Sequence, residues 1–175
     1  LEGTVRAPIA TVSASVAALF RLIADEQRTI LLDEADTVFG SKKVAEQNED
    51  LRGLLNAGFA RGKTAIRCVG PQQVPTEFAT FAMAALAGIG DMPDTIEDRA
   101  VIITMRRRAP GESVQPFRER RDRPALDGIR ERVSQWIASV ADELDVAEPE
   151  MPVEDRAADT WEPLVAIADA AGGHW

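Results

Sequence analysis

Apolar and polar residues repeat along the first third of the chain with two different periods, and these periods predict its elements. PIATV (8–12) and TILLD (29–33) are short runs rich in branched residues, typical of buried strands. Between them, SVAALFRLIADEQ has apolar positions at helical spacing, and Ser13 is the predicted N-cap. The chain therefore opens with a strand, a helix and a second strand.

Helices and strands continue to alternate up to residue 105. A helix is predicted over 44–59 and strands over 64–70, the first half of 78–90, and 100–105, with a loop bracketed by Pro71 and Pro75. This alternation predicts an α/β layered sheet. From Pro124 onward only helical spacing remains, over 125–145 and 160–171. We therefore predict an α/β core over residues 1–123 and a helical, lid-like region over 124–175.

Composition narrows the class of protein. Of the 175 residues, 45% are hydrophobic and 28% are charged, and no apolar run is long enough to cross a bilayer. The single cysteine, Cys68, excludes an internal disulfide and fits a reducing compartment, so a cytoplasmic location is predicted. The chain begins with Leu1 rather than Met, and we expect it to be a piece of a longer protein.

The charge is uneven along the chain. A net charge of −9 argues against the whole chain gripping nucleic acid, because backbone phosphates demand clustered cations. Arginines nevertheless dominate from Arg99 to Arg132, and acids dominate from Asp142 onward. This segregation indicates either contact between the two parts or between subunits, or a solvated charged face. The cluster Arg106, Arg107 and Arg108 could face nucleic acid, the acids of a neighbour, or solvent.

GFARGKT (58–64) is close to the phosphate-binding pattern G-x-x-x-x-G-K-[ST] but one residue short. A phosphate loop needs a strand before it and a helix after it, so that backbone amides and the helix N-terminus converge on the phosphate. Here a helix is predicted before the segment and a strand after it. We interpret GFARGKT as a helix end, with Gly62 near the C-cap.

The strand TILL followed by Asp33 and Glu34 is the pattern called Walker B in P-loop ATPases. At the carboxyl end of a buried strand, Asp33 would orient Mg²⁺ through its water shell, and Glu34 would polarise the attacking water. A strand that runs into an acidic turn remains the alternative. DEAD (33–36) also spells the motif of DEAD-box helicases, but the other motifs of that family are absent.

MPDTIEDRAVIITM (92–105) predicts a short helix, an arginine and a strand, as near the end of AAA+-type ATPase cores. There an arginine can reach the γ-phosphate bound to the neighbouring subunit, because its planar fork matches the phosphoryl oxygens. Arg99 is the candidate for this catalytic role. Alternatively, Arg99 pairs locally with Asp94, Glu97 or Asp98.

TILLDEADTVFG, LRGLLNAGFARGKTAIRCVG, FATFAMAALAGIGDMPDTIEDRAVIITMRRR and WEPLVAIADAAGGHW together resemble the domain of unknown function 3631, over residues 18–175. The family occurs in prophage, plasmid and other mobile-element proteins, often with primase or helicase-like parts. The resemblance implies a P-loop, AAA+-like ATPase whose phosphate loop lies upstream. It gives Asp33 and Glu34 the Walker B roles, includes Asp36 in the motif, and implies Mg²⁺, ATP and self-association in the parent protein.

Two departures limit what the resemblance implies. No G-x-x-x-x-G-K-[ST] precedes Thr29, so the phosphate cradle and its lysine are absent, and we expect no nucleotide bound by this chain alone. AALAGIG (84–90) offers no clear polar sensor residue, and Thr80 is only a weak substitute. The sequence therefore predicts a fragment of an ATPase core; the alternative is a non-catalytic oligomerisation or interaction module.

Overall fold

A computed structural model of the chain describes residues 1–11, 15–40, 44, 46 and 48–174. The chain is a mixed α/β protein that divides into two compact units, Leu1–Arg99 and Ala100–Trp175. The boundary predicted at residue 123 falls inside the second unit, and the domain division at that residue stays a prediction. Each unit is described by itself below.

The first unit is built on a small parallel sheet. The strands of the first unit are β1 (Pro8–Thr11), β2 (Thr29–Leu32), β3 (Thr64–Val69), β4 (Val74–Ala79) and β5 (Met83–Leu86). The order β1–β2–β5 is parallel throughout, so β2 is the central strand, and Ile30 and Leu32 on it are buried. The strands predicted at 29–33 and 64–70 are therefore confirmed as β2 and β3, and the strand predicted at 8–12 is confirmed over residues 8–11, since Val12 lies outside the described residues.

The helices of this unit whose bounds lie within the described residues are α1 (Val16–Asp25), α2 (Asp36–Phe39), α3 (Glu49–Gly58) and α4 (Asp94–Glu97). The apolar stripe of α1 is buried in a common core with Ile30 of β2 and Leu54 of α3. The N-cap of α1 is Ser15, whose hydroxyl accepts the N–H of Ala18 at 3.3 Å. The predicted cap Ser13 lies outside the described residues.

Strands β3 and β4 form a separate antiparallel hairpin, which the sequence did not predict. Pro75 was expected in a loop but pairs with Cys68 inside the hairpin. A two-stranded hairpin has an outer edge on each strand, and proline is tolerated there because its missing N–H faces no neighbour. Residues 78–90, expected to begin as one strand, instead end β4 at Ala79 and start β5 at Met83.

The second unit contains two helices, α5 (Glu119–Asp145) and α6 (Asp155–Ala171), which pack against each other. The predicted helical character of 125–145 and 160–171 is confirmed. Ala166 is the one buried residue of this unit within the described part of the chain. None of the helices within the described ranges is both long enough and apolar enough to cross a membrane.

The strand predicted at 100–105 is wrong. Within the described residues this segment pairs with no strand, and Ile102 and Ile103 are 64% and 77% exposed. Branched apolar residues favour a strand only where a ladder and a packed face reward them. The segment has neither in this chain, so its composition alone does not make it a strand.

Candidate functional site

The two predicted acidic residues lie at the carboxyl end of β2. Asp33 directly follows this strand, and its N–H donates to the carbonyl of Thr11 at the end of β1 at 3.4 Å. Asp33 and Glu34 are both exposed. Because β1, β2 and β5 are parallel, their carboxyl ends share one edge of the sheet, and the acid pair lies on that edge.

The carboxylate of Asp33 is only partly engaged. Its Oδ1 accepts the N–H of Glu34 at 2.9 Å. Within the described ranges, no partner contacts its Oδ2 and no cation pairs with either acid. An exposed carboxylate of this kind fits hydrated Mg²⁺, which is commonly held by one or two carboxylates together with waters and phosphates.

A metal site in which protein side chains supply all of the ligands requires several such residues close together. The described residues contain no cluster of three or more His, Cys, Asp or Glu side chains suited to a metal ion. A metal held at Asp33 would therefore take most of its ligands from water or from a phosphate group.

Glu34 turns the chain out of the sheet. Its φ of 53° lies in the left-handed region, which residues other than glycine adopt rarely. Its carbonyl accepts the N–H and the hydroxyl of Thr37 at 2.9 and 2.8 Å, which starts the short helix α2. The extended conformation of β2, which ends at Leu32, therefore does not continue through Glu34.

The loop that follows β5 is tied to the acidic end of β2 by three hydrogen bonds. The N–H of Ala87 donates to Leu32 at 2.9 Å, and the N–H of Ala35 donates to the carbonyl of Ala87 at 2.8 Å. Asp36 adds a side-chain contact, because its Oδ1 accepts the N–H of Ile89 at 3.1 Å. Sequence reasoning assigned Asp36 no role of its own beyond its place in the motif, although the glycines that flank Ile89 indicate a tight loop.

Arg99 lies after α4, where its Nη1 donates to the carbonyl of Thr95 at 2.6 Å. It forms no ion pair with Asp94 or Glu97 within the described part of the chain, and it does not contact Asp33 or Glu34. Glu97 instead accepts the N–H of Met92 at 2.8 Å. Arg99 therefore caps its own helix, and the structure does not bring it to the acid pair of the same chain.

Thr80 has a structural task. It is fully buried, and its hydroxyl lies 2.9 Å from the carbonyl of Lys63 and 3.3 Å from that of Ala57. These carbonyls belong to the end of α3 and the turn after it, so Thr80 is not placed as a sensor beside the acid pair. The same turn confirms the interpretation of GFARGKT, since α3 ends at Gly58, Gly62 has a φ of 77° and β3 follows.

The arginine triplet is not uniform. Arg106 forms a two-pronged ion pair with Glu112, with N–O distances of 2.6 and 2.9 Å. This contact lowers the pKa of Glu112, and the N–H of Ala109 lowers it further. Arg107 and Arg108 are exposed and, within the described residues, have no acidic partner. Of the three arginines in this triplet, Arg107 and Arg108 are therefore the ones available to a partner.

The second arginine run is partly neutralised at the start of α5. Arg121 pairs with Asp122 at 2.6 Å, and Arg123 pairs with Glu119 at 2.9 Å. Arg118 and Arg120 have no acidic partner among the described residues. Local pairing thus reduces the positive charge that the sequence indicated here.

A shallow groove of the first unit lies between α1, α3 and the β3–β4 hairpin. Its walls include Phe20, Asp50, Arg67 and Cys68, and it does not include the acid pair. Arg67 stacks over the ring of Phe20 at 4.8 Å and pairs with Asp50 at 3.3 Å. These contacts fix the hairpin on the core, so we assign the groove to packing.

Comparison with known proteins supports the family resemblance over part of the chain. Residues 104–175 match the family described as "Protein of unknown function (DUF3631)". A 71-residue segment, 41% of this chain, is 56% identical to the "Uncharacterized 28.9 kDa protein in xis 5'region" of Saccharopolyspora erythraea. The matched part spans about a quarter of that relative, 27% of its length. No solved structure matches the chain.

Proposed function

We propose that this chain is part of a P-loop, AAA+-like ATPase core of a helicase- or primase-associated mobile-element protein. It contributes the Walker B acids and an arginine for the neighbouring subunit. The observation that carries the proposal is the position of Asp33 and Glu34, two exposed carboxylates at the carboxyl end of the central parallel strand. In open α/β sheets, ligands bind in the crevice outside the carboxyl ends of the strands.

The two acids suit different tasks because their backbones differ. Asp33 is held by the N–H of Glu34 and keeps its Oδ2 for a hydrated cation. Glu34 stands one residue further on, outside the strand, where its carboxylate can accept the proton of a water molecule. When bound at this edge, Mg·ATP would supply the phosphoryl group and the cation that the two carboxylates attract.

The phosphate contacts have to come from residues other than these. The 175 residues contain no G-x-x-x-x-G-K-[ST], and the nearest pattern, GFARGKT, is a helix end followed by a strand. We therefore propose that another segment of the parent polypeptide supplies the phosphate loop, and that this chain alone does not turn over ATP.

Arg99 is proposed to act on the nucleotide of a neighbouring subunit. Its guanidinium now bonds only to the carbonyl of Thr95 within the described part of the chain. A hydrogen bond to a neutral carbonyl leaves the positive charge uncompensated, so the side chain can exchange this contact for a phosphate. Removing a catalytic arginine of this kind costs a factor of about 10³ to 10⁵ in kcat.

The test uses a parent polypeptide that includes a phosphate loop. Glu34→Gln should abolish ATP hydrolysis while nucleotide affinity stays within about threefold of the unaltered protein, because the amide cannot accept the proton of water. Glu77→Gln, an exposed glutamate of β4, is the control and should leave both quantities unchanged. Hydrolysis that survives Glu34→Gln would show that Glu34 is not the base.

A non-catalytic interaction module is the second candidate function. The specific observation for it is the second unit, where Val133, Trp161 and Leu164 on α5 and α6 are 49%, 43% and 44% exposed. Two helices with this much exposed apolar surface are suited to pack against another protein. Titration of Mg·ATP into the parent polypeptide separates the two candidates, since a non-catalytic module of this class binds no Mg·ATP.

A further inference from the structure

We propose that Asp36 is a positioning residue, which fixes the loop after β5 against the acidic end of β2. The inference rests on the proposed function, because the loop matters only if Asp33 and Glu34 meet a nucleotide. Asp36 and Ile89 are 53 residues apart in sequence, and the carboxylate of Asp36 joins the two segments by accepting the N–H of Ile89 at 3.1 Å. The acceptor of this hydrogen bond is a charged carboxylate, and such a bond is stronger than one between neutral groups.

The fit around Asp36 is close on the side of the loop. A Cβ placed on Gly88 would lie 3.0 Å from the backbone nitrogen of Asp36 and 3.1 Å from its Oδ1. Such approaches are tighter than ordinary van der Waals contact, so a larger residue at position 88 would require Asp36 or the loop to shift by a few tenths of an ångström. Met92, whose Cε would lie 3.2 Å from the same Cβ, closes the other side.

The side chain of Ile89 explains why a polar tie is needed. Ile89 is 85% exposed, so no apolar packing holds this part of the loop in place. The backbone bonds of Ala35 and Ala87 anchor only the beginning of the loop. The carboxylate of Asp36 is therefore the contact that sets where residues 88–90 lie beside the acid pair.

The first measurement is amide hydrogen exchange of Ile89 in the 175-residue chain. Asp36→Ala should speed exchange about tenfold, since a hydrogen bond to a charged group contributes roughly this factor. Asp36→Asn retains a side-chain oxygen acceptor and should stay within about threefold of the unaltered chain. Asp91→Ala, which removes a nearby exposed aspartate, is the matched control and should change nothing. Unchanged exchange in Asp36→Ala overturns the proposal.

The second measurement is the hydrolysis rate of the parent polypeptide with its phosphate loop. Asp36→Ala should lower kcat about tenfold with KM unchanged, and Asp36→Asn should restore most of it, because the neutral amide oxygen still accepts the N–H of Ile89, although more weakly than the carboxylate. Equal loss in both variants overturns the positioning role. Failure of the proposed function looks different: the unaltered parent hydrolyses no nucleotide, and Ile89 exchange still responds to Asp36→Ala.

Discussion

Glu34 holds a backbone conformation that glutamate adopts rarely, at the point where β2 ends. Non-glycine residues with positive φ persist only when surrounding contacts fix them, and such residues cluster at functional sites. Here the fixing contacts are those of Thr37 to the carbonyl of Glu34 and of Glu34 to Asp33. We predict a task for the carboxylate of Glu34, because glycine fits this backbone conformation better than glutamate does.

The backbone of Glu34 gives a stability prediction. Glu34→Gly should leave the free energy of unfolding unchanged or raise it by up to about 1 kcal/mol, because glycine adopts this φ without a steric cost. Urea denaturation of the chain measures the change. Glu77→Gly, at an exposed position of the strand β4, is the control and should lower stability by about 0.5–1 kcal/mol. An equal loss in both variants would show that the turn at Glu34 carries no strain.

At the scale of elements, the start of α5 depends on one carboxylate. Asp122 accepts the N–H of Arg118, the N-cap residue, at 2.6 Å, and it also pairs with Arg121. The Arg121 guanidinium and then the Arg118 N–H lower the pKa of Asp122 below its ordinary value. An acid in the first turn also suits the positive end of the helix dipole.

The lowered pKa sets a pH dependence for α5. The contribution of Asp122 to stability is fully present above the ordinary aspartate pKa of about 3.9 and is lost as the pH falls through the lowered value. Asp122→Ala should therefore speed amide exchange of Arg118 at pH 6, relative to the rates expected for unstructured chains. This difference should shrink toward pH 2.

The control for this pH series lies on the same helix. Glu131 bonds only to Gln135, at 3.5 Å, among the described residues. Glu131→Ala should not alter Arg118 exchange at any pH. A difference between Asp122→Ala and the unaltered chain that persists at pH 2 would show that the carboxylate charge is not responsible.

Secondary-structure elements were predictable from the sequence where the hydrophobic pattern of a segment agrees with its packing and strand pairing in the fold. The branched run of β2 has Ile30 and Leu32 buried and Leu31 half-buried, so its pattern alone identified it, and the acids that follow it were found in the same way. The run at 100–105 has a similar composition but no neighbouring strand in the described chain. The contact between Asp36 and Ile89 was not predictable, because it depends on the parallel pairing of β2 with β5.

For the whole molecule, charge is the property that decides which partners fit. Residues 142–175 hold ten acidic side chains and one arginine, which accounts for the entire net charge of −9. The remainder of the chain is neutral in sum, so any attraction to nucleic acid comes from local clusters such as Arg107 and Arg108.

Nucleic-acid binding through these arginines is testable by its salt dependence. If both contact phosphates, Arg107→Gln with Arg108→Gln should reduce the slope of log affinity against log salt by about 2 for duplex DNA. Fluorescence anisotropy of a labelled duplex measures it. Arg106→Gln should change the slope less, because Glu112 already neutralises Arg106. A flat salt dependence of the unaltered chain would rule out this mode of binding.

The exposed segment at 100–105 has a consequence for handling the protein. A short run of branched apolar residues without proline is the kind of sequence that stacks into cross-β fibrils. The arginines that directly follow it act as gatekeepers, since like charges brought together in a stack repel. Variants that neutralise Arg107 and Arg108 should therefore scatter light and bind thioflavin T at concentrations where the unaltered chain stays clear.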